Sequence, residues 1–219
     1  MSSENAKVLV TGFDPFAGDG INPSQAIVAA LNGKRIARHR IVGAILPTEF
    51  ARSLARLEKL IHTHRPVLVL AVGQAGGREG ISLERVAINL IDARIADNAG
   101  DQPVDVAVVA DGPNAYFSTL PIKAMLARLR AAGITASISH TAGTFVCNQV
   151  FYGLAHIAAT QHPSMRSGFI HVPYLPEQAL AHPGAPDMPL ETMLGAIRLC
   201  VATAIENAHD LHYAAGTTH

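Results

Sequence analysis

A three-layer α/β/α sandwich built on a mostly parallel, twisted central sheet is the fold class this sequence predicts. Two observations carry that reading. Short, apolar, β-branched runs alternate along the chain with longer segments of helical period, and no repeat or low-complexity linker interrupts the alternation. Strands that are apolar on both faces are buried on both faces, which requires helices above and below the sheet. One domain spanning residues 1–219 is expected, with flexible ends at 1–6 and about 209–219.

Taken in order, Lys7 to Thr11 reads as the first buried strand and Arg40 to Leu46 as the next. Glu49 to His64 is a helix: Phe50, Leu54, Leu57 and Ile61 fall on one stripe, Thr48 stands where an N-cap belongs, and Pro66 follows the end. Val67 to Val72 returns to strand. The stretch Ile81 to Asp111 has no helical period and reads as consecutive strands joined by the turn-rich Asp97 to Pro103 segment. Ala136 to His140 is another strand, and a helix is predicted to begin with Thr144 as its N-cap. Gly168 to Val172 is a strand, and Leu190 to Asn207 a final amphipathic helix with Leu190, Met193, Leu194, Ile197, Val201 and Ile205 on its stripe.

Composition excludes several classes. The 219 residues carry 17 Lys+Arg against 17 Asp+Glu, with 49% hydrophobic and only 16% charged residues, the reverse of a disordered chain. No basic stripe suits a phosphate backbone, so no nucleic-acid partner is expected. No apolar run approaches the roughly 20 residues of a membrane span, and the polar stretch Met1 to Lys7 does not read as a signal peptide. Two cysteines, Cys147 and Cys200, cannot build a disulfide framework and point to a reducing, cytoplasmic setting. Eleven histidines show no metal-ligand spacing; His62 and His64 sit at a helix end, where a cation is favourable.

In an open α/β sheet the ligand site forms beyond the C-terminal strand ends. Four loops therefore matter: 11–22, 73–80, 140–148 and 171–178. In the third, Cys147 falls in the first turn of a helix, where unpaired N–H groups favour a thiolate and lower the thiol pKa. The competing reading is packing, because Cys147, Phe151, Leu154 and Ala158 share a helical face. A cysteine nucleophile needs a nearby histidine. His156, nine residues along the same helix, is about 13 Å away and out of phase. His140 and His171 both sit near strand ends, and the residues alone leave them tied. Glu84 shares a predicted strand face with Val86, Ile88 and Leu90, so its carboxylate needs a partner, either an imidazolium or an arginine such as Arg94. The loop from Thr11 to Gly18 and the run Gly73 to Gly77 both lack a nucleotide fingerprint. Phe13 and Phe16 bracket the first of these, as packing residues or as walls for a small, flat, uncharged ligand.

Together these segments resemble the pyroglutamyl peptidase I family of cysteine peptidases. The motifs that carry the resemblance are Gly12-Phe13-Asp14-Pro15-Phe16, Gly73-Gln74-Ala75-Gly76 through Asn89, Asp111 to Pro121, Ser139 to Asn148, and His171 to Gln178. The resemblance runs from about residue 7 to about 205. It implies a triad of Cys147 as nucleophile, His171 as general base and acid, and Glu84 orienting His171, which breaks the tie against His140. It maps a pyroglutamate pocket onto Phe13, Phe16, Gln74, Phe145 and Val146, with Arg94 near the reaction centre. It further implies a homotetramer, no metal and no cofactor, acting on peptides with an N-terminal L-pyroglutamate. Two other readings of the same residues are a cysteine amidase for another small cyclic amide and a non-enzymatic small-ligand-binding domain.

Overall fold

A computed structural model describes residues 6–216. Its spine is a seven-stranded sheet in the order β2-β3-β1-β4-β9-β5-β8. Strands β1 (Lys7–Phe13), β3 (His39–Leu46), β4 (Leu68–Gln74) and β9 (Arg166–Val172) run parallel to one another. The pair β5 (Ile81–Glu84) and β8 (Ala136–Ser139) is internally parallel, yet β5 lies antiparallel to β9. The short β2 (Arg35–Ile36) lies antiparallel to β3 at the other edge.

Alternate residues of each central strand enter opposite cores. Val8, Val10, Leu68, Leu70 and Val72 face one hydrophobic cluster, and Leu9, Val69 and Ala71 face the other. The first cluster is covered by α1 (Pro23–Leu31), α3 (Ile122–Ala131) and α6 (Leu190–Glu206), the last preceded in the chain by the short α5 (Pro176–Ala179). Helices α2 (Phe50–His64) and α4 (Val146–Gln161) cover the second. This is the three-layer arrangement expected from strands that are apolar throughout. Among the described residues no helix is long and apolar enough to cross a membrane.

Several local expectations give way to tertiary contacts. The region Ile81 to Asp111 contains no helix, as expected, but only Ile81–Glu84 and Val86–Ile88 within it form strands. Strand β5 ends at Glu84, and after Arg85 the chain enters β6 (Val86–Ile88), which leaves the main sheet to pair with β7 (Ala115–Phe117) in a separate ribbon. Irregular chain follows β6, held by one bridge between Ile91 and Val106. The predicted shared face therefore breaks: Glu84 is fully buried, whereas Val86 and Ile88 are half-buried. Neither threonine acts as the predicted N-cap. Thr48 instead bonds to Asp14, and the free N–H of Phe50 at the start of α2 donates to the carboxylate of Asp97 at 2.7 Å. Thr144 donates its hydroxyl to the carbonyl of Asp92 at 2.7 Å, and α4 starts without a side-chain cap.

The expected flexible ends are only partly within view, since residues 1–5 and 217–219 lie outside the described residues. The segment 209–216 is docked. Asp210 accepts from the N–H groups of Lys123 and Ala124 at the start of α3, Tyr213 donates to the carbonyl of Lys123, and the carbonyl of Ala215 accepts from Arg85.

Candidate active site

The first turn of α4 is locked on both sides by the two residues after Cys147. The buried side chain of Asn148 bonds to the backbone of Ile88 and Leu90, and Gln149 reaches Ser53 and the carbonyl of Phe50. Phe145, the N-cap, offers no side-chain acceptor, so the N–H groups of Val146, Cys147 and Asn148 are left pointing out of the helix. Cys147 is half-buried, at the end of the apolar stripe it shares with Phe151, Leu154 and Ala158. The helix thus packs one face of the stripe into the core and presents its last member to a cavity.

That cavity measures about 280 Å³. Its walls include Phe16, Gln74, Arg94, Phe145, Cys147 and His171. Phe16 and Phe145 approach at 6.2 Å between ring centres, and Phe50 backs Phe145 edge-on. The amide of Gln74 is held at both ends: its Nε2 donates to Asp19 at 3.1 Å, and its Oε1 accepts from Gln178 at 3.0 Å. Two of the expected pocket residues do not line the cavity. Val146 is fully buried, and Phe13 is 2% exposed with its ring 6.2 Å from Phe169, so it forms a layer behind the wall.

His171 leaves the end of β9 at 4% exposure, packed on Phe169 with 4.8 Å between ring centres. Its Nδ1 donates to Oε1 of Glu84 at 2.7 Å. This fixes the tautomer and leaves Nε2 as the unprotonated nitrogen. The other histidines are elsewhere. His140 is exposed and does not line the cavity, although its neighbours Ser139 and Thr141 both contact Arg78. His156 bonds to the hydroxyl of Tyr116.

The arginine beside Glu84 is Arg78, whose Nη1 lies 2.5 Å from Oε1, and not Arg94. Burial raises the Glu84 pKa, but the hydrogen bond and charge of His171, with Arg78 and Ser139, outweigh it and hold the carboxyl below its usual range. The thiol of Cys147 goes the other way from the expectation. Burial pushes it up to about 12, the Glu84 carboxylate adds to the rise, and the Arg78 guanidinium opposes it. Burial thus favours the protonated form of Cys147. Asp92, Arg78 and Ile95, which also line the cavity, were not reached by sequence reasoning. The demand of a buried Glu84 for a cation was the one available signal for Arg78. Among the described residues, no group of three or more His, Cys, Asp or Glu is placed to hold a metal ion.

A half-buried cysteine, a histidine and a buried carboxylate meeting at strand ends of a three-layer sheet have the layout of a cysteine hydrolase. Sequence comparison narrows the class: the profile of the pyroglutamyl peptidase family matches residues 6–207, and the chain belongs to that family. A pyrrolidone-carboxylate peptidase of Cupriavidus taiwanensis is 56% identical over 97% of this chain and 99% of its own. One from Yersinia pestis is 52% identical over the same shares. The crystal structure of pyroglutamyl peptidase I from Bacillus amyloliquefaciens superposes with a TM-score of 0.93 at 46% identity, covering 96% of this chain and all of that one. A mutant pyrrolidone carboxyl peptidase from Pyrococcus furiosus gives 0.89 at 44% identity, over 91% and 98%.

Proposed function

We propose that this protein is a cysteine exopeptidase that removes an N-terminal pyroglutamyl residue from peptides through a thioester acyl-enzyme. The observation that carries the residue roles is the 2.7 Å bond from His171 Nδ1 to the buried Glu84, with Cys147 in the wall of the same cavity. Pyroglutamate is a flat, neutral lactam without an α-ammonium group. An aromatic slot of Phe16 and Phe145 with the oriented amide of Gln74 suits it.

In the mechanism, His171 Nε2 takes the proton of Cys147 as Sγ attacks the pyroglutamyl carbonyl. The outward N–H groups of the α4 first turn, with Arg94, hold the oxyanion; one such donor is worth on the order of 3 kcal/mol. The imidazolium then protonates the leaving amine as the C–N bond breaks and the thioester remains. Water, deprotonated by His171, attacks the thioester, releasing pyroglutamate and restoring the thiol. Glu84 keeps the imidazole aligned throughout. The free Cys147 and Cys200 fit a reducing cytoplasm, one peptidase domain comprises the chain, and a homotetramer is its expected state, with exposed Val104 and Phe117 available for association.

The deciding experiment is release of a chromophoric amine from an L-pyroglutamyl arylamide under reducing conditions, comparing wild type with Cys147→Ser. Turnover is expected in the wild type and not in the variant. A folded, reduced wild type that releases no amine would overturn the activity, and a variant with appreciable turnover would overturn the nucleophile.

A further inference from the structure

Glu84 presents a problem that the triad by itself does not solve. Its side chain has no exposure, and a buried carboxylate stays ionised only when it is paired. A neutral imidazole supplies one hydrogen bond and no charge. If Glu84 protonated, it would no longer compel His171 to carry its proton on Nδ1, and Nε2 would lose its role as base.

Arg78 supplies the missing charge from a loop outside the triad. After β4, the chain turns at Gly77, whose φ of +86° is a conformation that glycine adopts without strain. The turn sends the Arg78 side chain back across the sheet end, where it is about a third exposed. Its Nη1 reaches Glu84 Oε1 at 2.5 Å and the hydroxyl of Ser139 at 3.3 Å. Its Nη2 donates to the carbonyl of Thr141 at 3.0 Å. Thr141 belongs to the loop that leads from β8 into the Cys147 turn. One guanidinium therefore touches both the carboxylate that orients the base and the loop that carries the nucleophile, a two-sided contact that its planar fork permits and an ammonium does not.

We infer that Arg78 is a positioning residue for the hydrolysis, clamping Glu84 and the 139–141 loop so that His171 and Cys147 are held in one frame. The inference rests on the triad reading above. Its charge also acts on the cycle. A fixed cation beside the thiol favours the thiolate of Cys147, so losing it displaces the thiol titration to higher pH. Of the other charged groups facing the cavity, Asp92 and Arg94 sit on the irregular chain that follows β6, and neither is hydrogen-bonded to Glu84 or His171. Glu79, next to Arg78, is exposed to solvent.

The test measures kcat and KM on an L-pyroglutamyl arylamide from pH 5 to 10 for wild type, Arg78→Met and Arg78→Lys, with a thermal melt of each. For Arg78→Met the expected result is a kcat at least tenfold lower at pH 7, a KM within about twofold, and a rate profile displaced upward by about one pH unit. Arg78→Lys keeps the charge but loses the second arm, so its profile should stay in place while kcat falls. A profile of unchanged position in Arg78→Met, or a rise in KM with kcat preserved, would overturn the inference. Should Arg78→Met fail to fold, Arg78→Lys decides alone: a kcat equal to wild type would show that the clamp is not needed. Wild-type turnover and its loss in Cys147→Ser, run in the same assay, report on the triad reading separately.

Discussion

The sulfur of Cys147 lies against the bare Cα of Gly73, the residue that pairs with His171 across the β4–β9 ladder. A methyl group on Gly73 would stand 2.9 Å from that sulfur and 2.9 Å from the ring of Phe169, which in turn packs on His171. Cys147 and His171 thus flank a strand position that has room for no side chain.

Gly73→Ala follows from this contact. The added methyl must push the sulfur, the Phe169 ring or both, and a displacement of even 1 Å at a reacting atom costs roughly a hundredfold. We expect kcat/KM on an L-pyroglutamyl arylamide to fall by about ten- to a hundredfold with the fold retained by circular dichroism. Wild-type kinetics in the alanine variant would show that the sulfur does not work from this position.

The thiol itself gives a second test. With burial pushing Cys147 up to about 12, its thiolate fraction is small at neutral pH and grows about tenfold for each pH unit. Iodoacetamide labelling of Cys147, followed by mass spectrometry, should therefore accelerate steadily between pH 7 and pH 9. Cys200, fully buried in α6, should remain unlabelled while the protein is folded. A labelling rate already level at pH 7 would mean that the thiolate is preformed and that the helix terminus outweighs burial.

Asp210 predicts a stability effect separable from catalysis. Helix α3 has Pro121 at its N-cap and no side-chain cap of its own, and Asp210 supplies one from the C-terminal segment through the N–H groups of Lys123 and Ala124. Loss of such a cap costs about 1 kcal/mol, or a melting-temperature drop of about 2–4 °C at this chain length. Asp210→Ala should show that drop, by calorimetry, with arylamide turnover at 25 °C unchanged. An unshifted melting temperature would mean that the docked 209–216 segment contributes nothing to the fold.

The two-faced burial of the central sheet was readable because uninterrupted apolar runs such as Leu68 to Val72 have only one stable environment. The stripe of α2 and the place of Cys147 in a first helical turn were readable for the same kind of reason, since both are short-range periodic facts. Capping was not. Thr48 and Thr144 have the right chemistry in the right places, yet Asp14 and Asp92, distant in sequence, compete for their hydroxyls. The identity of the cation at Glu84 was equally out of reach, because whether Arg78 or Arg94 arrives depends on how the loop at Gly77 turns.

By itself, then, the sequence determined the layers, the strand and helix periods, and the residue types able to make a nucleophile, a base and an orienting acid. Local pattern suffices there because burial follows from hydrophobicity residue by residue. The tertiary structure decided which of two equivalent histidines stands at the cavity. His140 lies at the surface while its neighbours Ser139 and Thr141 contact Arg78, and His171 is the histidine bonded to Glu84. It also moved Phe13 behind the wall while Phe16 stayed on it. Strand direction and loop turns are set by contacts between segments far apart in the chain, and no local period records them.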